Sequence, residues 1–224
     1  MQQNLAQMDL RAVIVDVDGT LVDSNAAHAD AWVEALRAHG YDTTPGVVRR
    51  MIGMGGDKVL QAMTGLDQAD PTAQQIIAER HRIFAKQYVA HIRPFPNSHA
   101  LVSRMRADGL RLVVASSGDA SVVKALLERT QFSDLIEEIV ASADVDHSLV
   151  GAALEALHLL AWQALMLGDT PYDIQAARRV GVATIALRSG GWDDVDLKRA
   201  AAVYEDAADL LAHYHESLLA RAVA

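Results

Sequence analysis

The sequence predicts an α/β fold: a three-layer core with a mostly parallel sheet, interrupted by an all-helical insertion. Three observations predict it. The β-branched run Val13-Ile14-Val15 stands near the start and ends in acidic and Gly-Thr turn residues. A short run of that kind bounded by turn residues is the pattern of a strand buried on both faces. From residue 98 onward, short apolar runs alternate with helical stretches of about ten residues, which implies parallel strands joined by crossover helices. Between these regions, residues 25–92 carry helical spacing and no convincing strand.

The totals bound the function. The 224 residues, 51% hydrophobic and 22% charged, suit one ordered domain with an insertion, or two small domains. A net charge of −9 repels phosphate backbones over most of the surface, which argues against nucleic acid as a partner. A small anionic substrate then needs a local positive site. The absence of cysteine excludes disulfides, thiolate catalysis and cysteine-ligated zinc. The stretch Met1 to Asp9 is polar and lacks the basic and apolar regions of a signal peptide. No apolar run approaches a membrane span. The expectation is a cytoplasmic protein, monomer or homodimer, with no membrane partner.

Taken in order, the opening strand is followed by Asp23-Ser24-Asn25, which caps a helix from about Ala26 to Ala38 that Gly40 stops. Pro45 opens a second helical stretch. The loop Gly53-Met54-Gly55-Gly56-Asp57-Lys58 leads into a helix over Val59 to Met63, and Pro71 starts a longer helix reaching about His91. The stiff segment Arg93-Pro94-Phe95-Pro96-Asn97 reads as a hinge back to the core. Helices are expected over Ser98–Ala107, Asp119–Arg129, Leu149–Leu160, Ile174–Val180, Val195–Ala200 and from Asp206. Strands are expected over Leu110–Ala115, Ile136–Val140, Ala164–Leu167, Ala183–Leu187 and Val203–Tyr204. The core is therefore residues 1–24 and 93–224, with residues 25–92 as the insertion. Met51, Met54 and Met63 read as filler of the insertion's core, and Trp32 and Trp192 as packing residues.

Three strands end in polar residues at one edge of the sheet. The first gives Asp16 and Asp18, the second Ser116, Ser117 and Gly118, and the third Asp169 with Asp173 one helical turn later. Right-handed crossovers put these carboxyl ends on one side, where ligands bind in open α/β sheets. Four converging carboxylates need a counter-charge, and a hard divalent cation, Mg²⁺ first, suits oxygen ligands. Hydroxyls and free N–H groups ahead of a helix offer a phosphate seat. A metal beside a phosphate seat, with a carboxylate between them, points to phosphoryl transfer through an aspartyl-phosphate.

The motifs Asp16-Val17-Asp18-Gly19-Thr20-Leu21-Val22-Asp23-Ser24, Val113-Val114-Ala115-Ser116-Ser117 and Gly168-Asp169-Thr170-Pro171-Tyr172-Asp173 resemble, in order and spacing, motifs I, II and IV of the haloacid dehalogenase superfamily. A helical cap inserted directly after motif I is similar to the phosphoglycolate phosphatase and beta-phosphoglucomutase branch. The resemblance implies a Rossmann-like core and a Mg²⁺-dependent phosphatase acting on a small phosphorylated metabolite. It implies Asp16 as nucleophile and metal ligand. It also implies Asp18 as the acid/base, ligating metal through its carbonyl, Asp169 as the remaining carboxylate ligand, and Asp173 as orienter of the ligand shell. Ser116 would hold the phosphoryl group, with Ser117 and Gly118 beside it. Gly55 and Lys58 would meet the far end of the substrate. The carboxylate at Asp18 favours phosphate esters over the substrates of dehalogenases and phosphonatases.

One departure stands out. The family's motif III lysine belongs after the strand at Ile136–Val140, yet residues 141–154 contain no Lys, Arg or Pro. Losing one such electrostatic partner costs on the order of 10²–10³ in rate, by analogy with an oxyanion donor. Three alternatives follow. Catalysis is impaired and the protein serves as a metal- and phosphate-binding or regulatory module, or another cation substitutes (His147, Lys124 or Lys58), or a loop near 141–148 is missing. A sugar phosphomutase would share every core residue.

Overall fold

The computed structural model describes residues 9–141 and 149–223. Residues 1–8 of the polar start read above and the part of the lysine-free segment that holds His147 lie outside the described residues. Six strands form one sheet: β1 (Ala12–Val15), β2 (Arg111–Ser116), β3 (Glu138–Ala141), β4 (Ala164–Gly168), β5 (Ala183–Leu187) and β6 (Ala202–Tyr204). Every pairing is parallel and the order is β3-β2-β1-β4-β5-β6. The order reverses between β1 and β4, and the crevice at their carboxyl ends is where such sheets take ligands.

The period-2 alternation of the strands sorts their side chains to two faces. Val13, Val15, Val114 and Leu167 pack with Leu101 of α5 (Ser98–Ala107), Leu126 of α6 (Ala120–Arg129) and Leu210 of α10 (Ala207–Ala212). Ile14, Val113 and Met166 pack with Leu154 of α7 (Leu149–Leu157) and Ala177 of α8 (Pro171–Arg179). Each fully buried Ile, Leu or Val contributes about 1.5–3 kcal/mol, so both layers hold the sheet that carries the site.

The segment after β1 carries α1 (Asn25–Ala38), α2 (Pro45–Arg49), α3 (Gly56–Thr64) and α4 (Pro71–Ile83). Helix α3 begins at Gly56, three residues before the expected start, so Gly56, Asp57 and Lys58 form its first turn rather than a loop. The helical path after Pro71 does reach His91, but past Ile83 it widens into a π-helical turn, Phe84–Tyr88, and ends in a 3-10 turn, Val89–His91. The chain enters and leaves these helices through two adjacent segments. Asp23 N–H donates to the Arg93 carbonyl and Phe95 N–H to that of Leu21, each at 3.0 Å. The short α9 (Asp194–Leu197) follows β5. Among the described residues, no helix is long and apolar enough to cross a membrane.

Candidate active site

Asp16 follows β1 directly, and its N–H donates to the Leu167 carbonyl of β4 at 2.9 Å. Asp169 follows β4. The parallel register sets Val15 opposite Leu167, which brings the two aspartates side by side at the crevice. Asp173 joins them from the first turn of α8. There Thr170 and Asp173 cap each other: Asp173 N–H donates to the Thr170 hydroxyl oxygen at 3.1 Å, and Thr170 N–H donates to the Asp173 carboxylate at 2.9 Å. One carboxylate oxygen from each of Asp16, Asp169 and Asp173 lies within 4.8 Å of the other two.

Asp169 is held tightly. The Thr20 hydroxyl donates to one of its oxygens at 2.9 Å and Asn25 Nδ2 to the other at 3.1 Å. Two glycines make this packing possible. A Cβ on Gly19, whose φ is +87°, would stand 2.3 Å from Asp169 Oδ2, and one on Gly190 would stand 1.7 Å from it.

Burial pushes the Asp16 carboxyl well above the usual carboxylate range, and the charges of Asp173, Asp169 and Asp18 push it further. Burial and then Asp173 raise Asp169, and burial raises Asp173. Three carboxylates, Asp169 buried and Asp16 and Asp173 partly so, that destabilise one another's charge have the oxygen ligands that suit a hard cation. The buried Asn25 Oδ1, which has no donor among the described residues, is consistent with that chemistry.

Asp18 lies outside this trio. It accepts from the Ser24 hydroxyl and from His28 Nε2, the latter at 2.8 Å. Arg80 Nη2 sits 2.6 Å from His28 Nδ1. A guanidinium only donates, so Nδ1 accepts and Nε2 carries the hydrogen given to Asp18. Burial holds His28 below its ordinary value and draws Arg80 down to about 10, which leaves Arg80 cationic at neutral pH. Burial alone would raise Asp18, but His28, Ser24 and Arg80 outweigh it and hold the carboxyl low. The two motif I carboxylates are thus driven in opposite directions.

The second strand brings Ser116, 2% exposed, to the same edge. Its Oγ accepts from Gly118 N–H at 3.1 Å, leaving its hydroxyl hydrogen for an anion. The N-terminus of α6 is already satisfied, because the Asp119 carboxylate accepts from Ser121 and Val122 N–H. The polar groups left at this strand end are therefore Ser116 and the adjoining turn rather than the helix end. A cavity of about 100 Å³ joins Asp16, Asp18 and Ser116–Gly118 on one side to Trp32, Ile52, Val59, Ile77, Arg80 and His81 on the other.

The profile of the haloacid dehalogenase-like hydrolases matches residues 13–187. The chain belongs to this family. It is 33% identical to a phosphoglycolate phosphatase of Rhodospirillum rubrum over 216 residues, covering 89% of each chain. It is 25% identical to the fructose-1-phosphate phosphatase YqaB of Escherichia coli, over 79% of this chain and 95% of that one. A hydrolase structure from Pseudomonas syringae superposes with a TM-score of 0.84 at 29% identity, over 92% of this chain and 98% of that one.

For this hydrolase, the structure also locates the remaining residues singled out by sequence. Gly55 lines the cavity, whereas Lys58 is exposed and is not among its lining residues. Lys124 is exposed and pairs with Glu128 at 4.0 Å, so it does not reach back toward Ser117. Trp32, 2% exposed, is core and cavity wall at once. Trp192 packs against Ile174 and Leu197 and meets Tyr172 edge-on, with the Arg50 guanidinium over its ring at 4.6 Å. Sequence reading missed Thr20, Asn25, His28 and Arg80. His28 alone had a local signal: it lies one helical turn after Ser24, on the face that meets Asp18.

Proposed function

We propose that this hydrolase is a Mg²⁺-dependent phosphatase that cleaves a small phosphorylated metabolite, phosphoglycolate first among candidates, through an aspartyl-phosphate on Asp16. One observation carries the reading: a single cavity is bordered by the Asp16 and Asp18 carboxylates and by the Ser116–Gly118 turn. The activity named for the relative in R. rubrum supports the substrate class.

In this reading the Asp16 carboxylate attacks phosphorus and the ester P–O bond breaks. Asp18, which Ser24, His28 and Arg80 hold deprotonated in the free site, takes up a proton from solvent as the anionic phosphate enters and passes it to the leaving oxygen. Asp18 then takes a proton from water as the water oxygen bonds to phosphorus and the Asp16–P bond breaks, releasing phosphate. Return of that proton to solvent restores both residues. Its hydrogen bonds from Ser24 and His28 keep Asp18 oriented. The Ser116 hydroxyl and the turn after it hold phosphoryl oxygens. Asp16, Asp169 and the main-chain carbonyl of Asp18 would hold Mg²⁺, with Asp173 beside them. When bound, the ion neutralises charge on the carboxylates and the phosphoryl group. Residues 25–92 act as a cap whose Gly55 and α4 wall face the substrate.

Hydrolysis of phosphoglycolate in the presence of Mg²⁺ tests this. Asp16→Asn should lower kcat by about 10⁴ or more, the scale of losing a nucleophile, and a chelator should abolish turnover. Activity of Asp16→Asn within about tenfold of wild type would overturn the assignment. The lack of lysine and arginine in residues 141–154 favours one second reading, a ligand-binding relative without turnover. It predicts stabilisation by Mg²⁺ and phosphate with no product. A phosphomutase is separated by product analysis with a sugar phosphate.

A further inference from the structure

Among the described residues lining the cavity, one carries a permanent positive charge. Arg80 reaches Asp18 through His28, by contacts of 2.6 and 2.8 Å. The acidic charges of Asp18 and Asp119 act on it. Its guanidinium is 5.5 Å from the Trp32 ring centroid and 5.4 Å from that of Phe84, on which His28 also stacks at 3.9 Å. The side chain is thereby fixed, with the residue 8% exposed. Its Nε is nevertheless buried with no acceptor among the described residues. A buried charged donor without an acceptor is unfavourable, so the position is set up for an anion that enters the cavity.

We propose that Arg80 is a specificity residue that binds a carboxylate on the leaving group of the substrate. The inference rests on the phosphatase reading, in which Asp18 serves the leaving oxygen. Arg80 lines the same cavity as Asp18 and is linked to it through one histidine, which places it, in that reading, beside the group that serves the leaving oxygen. The guanidinium has Nε and Nη groups in a fixed fork, and a carboxylate is the anion that matches a fork of donors. The neighbouring wall, Trp32, Ile52 and Ile77, is apolar. The polar groups that also line the cavity, Gln68 and His81 among them, carry no permanent positive charge, so Arg80 is the lining group that separates an acid from a neutral alcohol. Arg80 therefore selects short phosphorylated acids over phosphorylated alcohols of the same size.

The test compares phosphoglycolate with 2-hydroxyethyl phosphate, which is nearly isosteric but ends in a neutral group. Wild type should prefer the acid. In Arg80→Gln, kcat/KM for the acid should fall about a hundredfold further than for the alcohol, the scale of losing a hydrogen bond to a charged group. An equal loss on both substrates would mean that Arg80 acts only through His28 and would overturn the inference, as would a wild type without preference. Circular dichroism checks folding. If Arg80→Gln does not fold, Arg80→Lys carries the test, with an expected loss of preference of about tenfold from replacing a fork by a point charge. If wild type hydrolyses neither compound, the phosphatase reading fails separately. Calorimetric titration with both compounds then decides: tighter binding of the acid that vanishes in the variant supports Arg80, and equal binding overturns it.

Discussion

Asp169 shows how tightly single residues are constrained here. A methyl group on Gly190 would fall 1.7 Å from its Oδ2. Gly190→Ala should therefore destabilise the protein by about 1–3 kcal/mol, the usual cost of overpacking, and weaken cation binding as Asp169 is displaced. Denaturant melts with and without Mg²⁺ measure both effects. The trio also sets a pH dependence. Burial raises the carboxyls of Asp16, Asp169 and Asp173 in the folded state. Their contribution to stability is complete below the ordinary carboxylate value near about 4 and is lost as pH rises through the raised values. A divalent cation offsets that loss. The increase in melting temperature on adding Mg²⁺ should be larger at pH 7.5 than at pH 5, roughly in line with the ~2.7 kcal/mol expected at a hundredfold excess over Kd. An increase that shrinks toward pH 7.5 would contradict the picture. Asp16, Ser116 and Asp169 were legible from sequence because each ends or directly follows a strand, and Asp18 because it stands two residues after Asp16 in the same turn. Arg80 was not, because its partner His28 is 52 residues away and nothing around either marks the pairing.

Elements were legible where their ends carry chemistry. Helix α5 runs over Ser98–Ala107 as expected, between the Pro-rich hinge and the turn at Gly109. Helix α8 starts at Pro171, three residues before the expected Ile174, because the Thr170–Asp173 capping box works through residues read first as site chemistry. Helix α3 starts early for a related reason: glycines present no side chain whose period could show a first turn. The π-helical turn at Phe84 was invisible because apolar residues continue the helical spacing through Ile83 and Phe84, yet it carries the ring on which His28 stacks. Helix α4 owes its start to Asp70, whose carboxylate accepts from Thr72 N–H at 2.7 Å, with Pro71 in the first turn. Asp70→Ala should cost about 1 kcal/mol of stability by loss of the cap. Because α4 carries Arg80, the same change should raise KM for a carboxylate substrate more than it lowers kcat; steady-state kinetics on both substrates check this.

At the scale of the whole molecule, the strand order explains why one cavity collects residues from so many parts of the chain. Strands β1 and β4 lie side by side at the reversal, with β2 next to β1. Their carboxyl ends bring together Asp16, Ser116 and Asp169, which are far apart in sequence. That much follows from alternating strand and helix signals. The placement of α1–α4 over this edge does not, because it depends on the paired segments at Leu21–Asp23 and Arg93–Phe95. The central claim is that phosphoryl transfer passes through Asp16. It is tested most directly by hydrolysing a phosphoglycolate made isotopically chiral at phosphorus and determining the configuration of the phosphate released. Two successive in-line displacements, first by Asp16 and then by water, predict retention. Inversion would mean direct attack by water and would contradict the account.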